Sequence, residues 1–337
     1  MKKTNRQLTR RAALQKGGIA ATGTLIAGSM VNVVADGAHS AELPTNGAHE
    51  RLQPAPSIDE KKVRYCINTS TIRGQNLGIV KEIELAAKVG YNGIEPWIRE
   101  LDDYKKAGGS LNDLGKRMAD LGLTVDSAIG FANWIVDDDE KRKRGLEQAK
   151  RDMDIVAQVG GKFIAAPPAG ATGQDDMNLF KAARRFGDLV KVGREIGVLP
   201  QVEVWGFSKC LSRLGECVFV AIESGCEDAC ILPDIYHIYK GGSDYAGLGL
   251  LSGDAIQCFH MNDFPAEPPR EKIGDADRVY PGDGVAPTTK ILKSIFANGF
   301  SGALSLELFN RKYWEQDAEK VLATGLAKMK AEVAKAI

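Results

Sequence analysis

The chain has 337 residues, 44% hydrophobic and 26% charged, an ordinary globular composition with apolar material for one sizeable core. Lys+Arg and Asp+Glu both total 44, so no uniform positive field exists to attract a phosphate backbone, which argues against nucleic acid as a partner. The six cysteines (Cys66, Cys210, Cys217, Cys226, Cys230, Cys258) show no CxxC pair or zinc-ribbon spacing and read as small buried apolar residues, with a Cys226–Cys230 disulfide as the alternative.

Residues 1–35 stand apart: a basic start (Lys2, Lys3, Arg6), the run Thr9-Arg10-Arg11-Ala12-Ala13-Leu14, then a Gly/Ala-rich apolar stretch to Ala35. This pattern resembles a twin-arginine export signal, with cleavage after Ala35 or Ser40. An uncleaved anchor is the alternative, since about 19 mildly apolar residues just reach spanning length. Either way the folded domain is expected outside the cytoplasm, in the periplasm. Residues 36–62 are polar and carry Pro44, Pro54 and Pro56, as a linker does.

From Val63 to the end, short β-branched or apolar runs alternate with segments of helical periodicity. Strands are expected at 63–68, 92–95, 123–128, 162–166, 199–204, 228–232, 256–260 and 303–308. Helices are expected at 76–89, 110–121, 140–159, 176–196, 209–224, 287–298 and 315–335. Gly90, Gly122, Gly160 and Gly299 follow helical segments where a left-handed cap ends a helix. Eight such alternations predict a single (β/α)₈ barrel over 63–337. A doubly wound open sheet would show a Gly-rich phosphate loop after an early strand, and none opens a helix here.

In such a barrel the C-terminal strand ends form the active-site mouth. Strands five to eight place Glu203, Asp234, His260 and Glu307 inside or just after apolar runs, where an unpaired charge is costly to bury. One divalent cation explains all four at once. Only four histidines exist, and both that fall within the domain, His237 and His260, lie in these motifs. Three carboxylates and an imidazole suit Mn²⁺, Co²⁺ or Mg²⁺ and accept Zn²⁺. His237 either reaches the same cavity as a donor beside the ligands or to substrate, or is a surface loop residue.

The stretch from about 63 to 335 resembles the xylose-isomerase-like barrel superfamily of sugar isomerases and epimerases, and within it the 2-keto-myo-inositol isomerases. The motifs are Glu203-Val204-Trp205-Gly206, Asp234-Ile235-Tyr236-His237 with Gly241-Gly242-Ser243, and His260-Met261-Asn262-Asp263. Further likeness lies in Asp277-Arg278-Val279-Tyr280-Pro281-Gly282-Asp283-Gly284 and in Leu306-Glu307-Leu308-Phe309 with Tyr313-Trp314. The resemblance implies that Glu203, Asp234, His260 and Glu307 are metal ligands, that His237 contacts a substrate oxygen, and that Glu203 and Glu307 double as the proton-transfer pair.

Such a site permits isomerisation or epimerisation of a keto-polyol through a metal-stabilised enediolate, with Glu203 and Glu307 as base and acid. Arg278, in the long loop 261–286, is expected to bring a fixed cation over the substrate, a surface ion pair being the alternative. Trp205 and Trp97 can pack a polyol face, Glu95 either binds a substrate hydroxyl or pairs with a cation, and Lys240 is counted among the substrate contacts. No Gly-rich cradle follows strands seven or eight, which favours an unphosphorylated sugar. Two other readings stay open: a dehydratase on the same site, and an exported barrel that only binds carbohydrate. A trinuclear-zinc abasic-site endonuclease lacks the further histidines it needs. A homo-oligomer is compatible with this reading and not specified by it.

Overall fold

The computed structural model describes residues 63–337; the assignments of 1–35 and 36–62 lie outside the described residues. Eight strands follow in order: β1 (Arg64–Asn68), β2 (Gly93–Glu95), β3 (Thr124–Val125), β4 (Phe163–Ala166), β5 (Leu199–Glu203), β6 (Cys230–Leu232), β7 (Cys258–Met261) and β8 (Ala303–Leu306). One parallel ladder has the order β3-β2-β1-β8-β7 and a second the order β4-β5-β6. The seams between them are stitched by single contacts: Ala165 N–H donates to Ala128 C=O at 2.8 Å, and His260 N–H to Pro233 C=O at 3.0 Å. Bridges pair Ile231 with Ile256 and Asp234 with His260. The chain is therefore a (β/α)₈ barrel, as the alternation of elements predicts.

Around the strands lie α1 (Ile79–Val89), α2 (Ile98–Lys106), α3 (Leu111–Asp120), α4 (Asp139–Gln158), α5 (Leu179–Ile196), α6 (Leu214–Glu223), α7 (Ile235–Lys240), α8 (Thr288–Ala297), α9 (Arg311–Trp314) and α10 (Ala318–Ala336). Gly90, Gly122, Gly160 and Gly299 all take positive φ, from 78 to 101°, as expected of helix stops. Elsewhere the boundaries move. The first helix starts at Ile79 rather than 76, because Asn76 and Gly78 are left-handed at φ 51 and 79°. The segment 209–213 is loop rather than helix: Leu211 has φ 52° and its carbonyl accepts from Trp205 N–H at 3.0 Å. Between β2 and the expected helix at 110, the sequence analysis placed nothing. Yet α2 forms there, its start fixed by Glu100, whose carboxylate accepts Trp97 N–H at 3.1 Å. All six cysteines are free thiols, which replaces the Cys226–Cys230 disulfide alternative. Cys230 instead points at Pro200 C=O and Cys226 at Ser224 C=O.

The two-residue period of the strands separates two environments. Tyr65, Ile67, Ile94, Ile164, Val202, Ile231, Phe259, Met261, Leu304 and Leu306 join the main apolar core with the helices. The alternate positions meet across the lumen, where only Ile129, Ala165, Leu232 and Cys258 form a small apolar cluster with Trp97 packed on it. The rest of the lumen is polar: Asn68, Glu95, Ser127, Gln201, Glu203, His260 and Ser305 are all buried. Register aligns the layers, with Asn68 beside Glu95 and His260 beside Ser305. The apolar layer thus joins strands to helices, while the lumen gathers the buried polar groups.

Glu82, on the first turn of α1, is buried with no partner for Oε2. Burial, reinforced by the nearby Glu100 and opposed by Arg73, pushes its pKa up to about 8. A carboxyl whose folded pKa is raised adds stability in full below its unfolded value, and loses it as pH rises through the folded value. Wild-type stability is therefore expected to fall between about pH 4.5 and 8, with a contribution from Glu82 of about 3–5 kcal/mol. Glu82→Gln should flatten that part of the profile. Denaturant unfolding across this range checks it, and parallel profiles for the two proteins would refute it.

Candidate metal and substrate site

The C-terminal mouth of the barrel holds a cavity of about 200 Å³, lined by Trp97, Ile129, Phe131, Glu203, Trp205, Phe207, His237, Asp275, Arg278, Glu307 and Phe309. Below it, β6, β7 and β8 deliver Asp234, His260 and Glu307, whose potential ligand atoms all lie within 4.8 Å of one another. His260 Nδ1 faces Asp234 Oδ2 at 3.4 Å and Glu307 Oε2 at 3.2 Å, yet it has no hydrogen-bond partner. Glu203 projects into the same cavity from the end of β5, outside that tight group, and its Oε2 is also unpartnered. Burial, opposed by the charge of His260 and increased by that of Glu307, pushes the Glu203 pKa up to about 8.

Each ligand candidate is fixed from behind. Asp234 caps α7, accepting His237 N–H at 2.8 Å through Oδ1, while Asn262 Nδ2 donates to its Oδ2 at 3.0 Å. Burial alone would raise the Asp234 pKa, but the charges of Arg278 and His237 outweigh it and hold the group well below the usual carboxylate range. His260 Nε2 lies 3.0 Å from Glu95 Oε2. With Nε2–H held by Glu95, Nδ1 is the nitrogen turned towards Asp234 and Glu307, where a cation would replace its proton. Glu95 also accepts from Asn68 Nδ2 at 2.9 Å and Ser305 Oγ at 2.7 Å. Burial would raise its pKa, but the neighbouring His260 overrides this and lowers it. Asn68 spans two carboxylates, its Nδ2 also reaching Glu307 Oε1 at 3.1 Å.

Arg278 is buried, at 1% exposure, which excludes the surface ion pair. Its Nη1 stands between Asp234 Oδ2 at 3.0 Å and Glu307 Oε2 at 2.7 Å, and its Nη2 between Asp275 Oδ1 at 2.6 Å and His237 Nε2 at 2.9 Å. The loop carrying it is pinned by Asp263, whose carboxylate accepts backbone N–H groups of Phe264, Gly282, Gly284 and Ala286 at 2.8–3.1 Å. A side chain at Gly284 would meet Phe264 C=O at 2.2 Å, so only glycine allows this wrap. His237 is buried rather than a surface loop residue: Gly206 N–H donates to its Nδ1 at 3.3 Å. Burial and the charge of Arg278 lower its pKa, which favours the neutral ring, and Arg278 Nη2, a donor only, faces its Nε2.

Among the sequence-derived substrate contacts, His237, Arg278, Trp205 and Trp97 line the cavity and two candidates do not. Glu95 takes the second of its two expected roles, paired with a cationic group, here His260 one layer below the mouth. Lys240 points away, its Nζ donating to the carbonyls of Arg270, Glu271 and Ile273 at 2.8–3.1 Å, so it ties down the loop and does not line the cavity. Asn68, Asn262, Ser305, Asp275 and the rings of Phe131, Phe207 and Phe309 were not singled out as site residues. Asn262 and Phe309 stand inside motifs that were, and the parity of β1 and β8 would have pointed Asn68 and Ser305 into the lumen. The donor set fits a divalent cation: an unpartnered imidazole nitrogen lies beside two converging carboxylates, and a third carboxylate keeps an unpartnered oxygen at the cavity.

Removing one member of a buried charged cluster typically costs about 3–5 kcal/mol. Glu95→Ala should destabilise the fold by that order, since His260 Nε2, Asn68 Nδ2 and Ser305 Oγ all lose their acceptor, and Glu95→Gln by clearly less. Chemical denaturation of the three proteins checks this, and an unchanged midpoint for Glu95→Ala would show that the cluster is not held by Glu95.

The family model described as xylose isomerase-like TIM barrel matches residues 83–332. The inosose isomerase of Bacillus velezensis is 27% identical over 283 residues, which span 81% of this chain and 98% of that protein. The 3-dehydroshikimate dehydratase of Pseudomonas aeruginosa is 26% identical over 240 residues, 68% of this chain but only 36% of that longer protein. Among solved structures, IOLI protein with a bound zinc atom superposes with a TM-score of 0.75 at 22% identity, over 82% of this chain and 99% of that one. The match over most of the barrel establishes that the chain belongs to the xylose isomerase-like TIM barrel family.

Proposed function

We propose that the protein is a metal-dependent isomerase or epimerase of an unphosphorylated keto-polyol, working through an enediolate. The observation that carries this reading is the unpartnered Nδ1 of His260 beside Asp234 and Glu307, with the unpartnered Oε2 of Glu203 at the cavity above them. The inosose isomerase relative supports the substrate class and the zinc in IOLI supports a cation. Glu203, Asp234, His260 and Glu307 would hold a Mn²⁺, Co²⁺, Mg²⁺ or Zn²⁺ ion, which when bound supplies Lewis-acid charge to the oxygens of an adjacent ketone and hydroxyl.

The chain's own groups do the rest. Glu203 Oε2 and the Glu307 carboxylate, arriving from β5 and β8, take the proton from the hydroxyl-bearing carbon next to the ketone and return it to the former carbonyl carbon, or to the same carbon from the opposite face. His237 and the Arg278 guanidinium, which meet at the cavity wall, contact substrate oxygens. Trp97, Trp205 and Phe309 exclude water and pack the C–H face of the ring.

The dehydratase relative keeps a second reading alive: the same site expels water when a hydroxyl lies beta to the enediolate. Product mass separates the two. The leader supports export to the periplasm, and Arg10→Lys with Arg11→Lys is expected to retain precursor in the cytoplasm; unchanged export of that variant would instead indicate general secretion or an anchor.

Incubation with inosose and a panel of ketoses in deuterated water should wash out the substrate α-hydrogen. Chelation should remove one metal per chain together with that exchange, and Mn²⁺ or Co²⁺ should restore it. Glu203→Gln and Glu307→Gln should each lower turnover by about 10²–10⁴, with metal content verified. His260→Ala should lose metal affinity far more than His237→Ala. Binding without exchange across the panel would reduce the protein to a carbohydrate binder, and three metals per chain would overturn the mononuclear site.

A further inference from the structure

The inner cavity, at about 200 Å³, is smaller than the roughly 300–1,000 Å³ of ordinary ligand clefts. A second groove, of about 600 Å³, lies between α2 and α4, and Trp97, Ile129 and Phe131 line both.

The partition between them is partly rigid and partly uncovered. Trp97 is held by its Nε1–H to Asn68 Oδ1 at 3.0 Å, by the Arg73 guanidinium 3.7 Å from its ring centre, and by a backbone bridge to Ile129. Phe131 lies 5.1 Å from Trp97, tilted by 49°, and leaves 36% of its surface in solvent. Past this ring the groove changes character. Its floor holds Asp152, 7% exposed, whose carboxylate has a single long contact, from Gln148 Nε2 at 3.4 Å. Arg99, Asp102 and Arg151 stand along its sides. An apolar ring beside carboxylate, amide and guanidinium groups matches a ligand ring with a C–H or π face and polar edges.

We propose that the substrate is a glycoside: the reacting keto-sugar occupies the inner cavity, and a second six-membered ring, joined to it glycosidically, passes over Trp97 and Phe131 into the groove between α2 and α4. This rests on the keto-polyol reading of the inner cavity and extends it to a two-ring substrate. The inner cavity fixes the chemistry, and the groove fixes which sugar derivatives reach it.

Calorimetric titration of the metal-loaded protein tests this, with fructose against the ketose disaccharides lactulose and turanose, and methyl against phenyl β-D-glucopyranoside. At least one two-ring probe should bind about tenfold or more tightly than its one-ring counterpart, a difference of about 1.4 kcal/mol. The disaccharide arm reports a second sugar, and the phenyl arm an aryl group. Gln148→Trp, on α4 and away from the inner cavity, should fill the groove and abolish the two-ring advantage while leaving fructose affinity unchanged; Gln148→Ala should reduce it without blocking. Equal affinity for one-ring and two-ring probes, absence of two-ring binding, or an advantage that survives Gln148→Trp overturns the proposal. Solvent exchange measured alongside keeps the two readings apart: exchange without a two-ring advantage removes the groove, and a two-ring advantage without exchange removes the chemistry.

Discussion

The structure turns on burying four carboxylates, Glu95, Glu203, Asp234 and Glu307, within one barrel lumen, all 0–3% exposed. Isolated charges there are prohibitively costly, so each must find a cation, a set of donors or a proton. His260 answers for most of them: Nε2 meets Glu95, and Nδ1 faces Asp234 and Glu307. Its pKa is raised despite burial, because Glu307 and Glu95 together outweigh desolvation. Glu203 has no such partner for Oε2, and it is the carboxylate that burial drives towards the protonated form. The lumen is thus short of positive charge in the one place where a divalent ion would complete it.

That demand explains features that otherwise look unrelated. The loop after β7 is long, yet Asp263 gathers four of its backbone amides, so that Arg278 enters the site on a fixed frame. Asn310 Nδ2 holds the Arg278 carbonyl at 2.9 Å from the other side, and Tyr236 and Phe309 present ring faces to the guanidinium at 4.5 and 5.0 Å. A guanidinium so placed is well ordered before any ligand arrives, as electrostatic preorganisation requires.

The barrel was legible because its strands are short apolar runs with a strict period, and because charged residues at four successive strand ends contradict that period unless they share a purpose. What escaped has physical reasons. Glu95 closes a strand just as Glu203 does, and only register shows that it meets His260 rather than the cavity. Lys240 sits three residues beyond His237, but α7 carries its side chain around to the loop carbonyls. The helix α2 was hidden by its charge: six of its nine residues are Arg, Glu, Asp or Lys, so apolar periodicity had almost nothing to count. It is held instead by a Glu100 cap and one fully buried residue, Leu101.

The side chains that speak to a substrate divide by their distance from the charge cluster. Near it, most polar groups are already committed to neighbours, as Glu307 is to Asn68 and Arg278, and Glu203 Oε2 is left unpartnered, so those groups tolerate little change. Further out, Phe131 and Phe207 are 36% and 48% exposed and bound only by ring contacts to Trp97, Trp205 and His237. Rings of that kind can be exchanged at small cost to the fold. The barrel therefore pairs a rigid, mutually dependent polar lumen with a rim of rings that the lumen does not constrain, so the two can vary independently on the same strands.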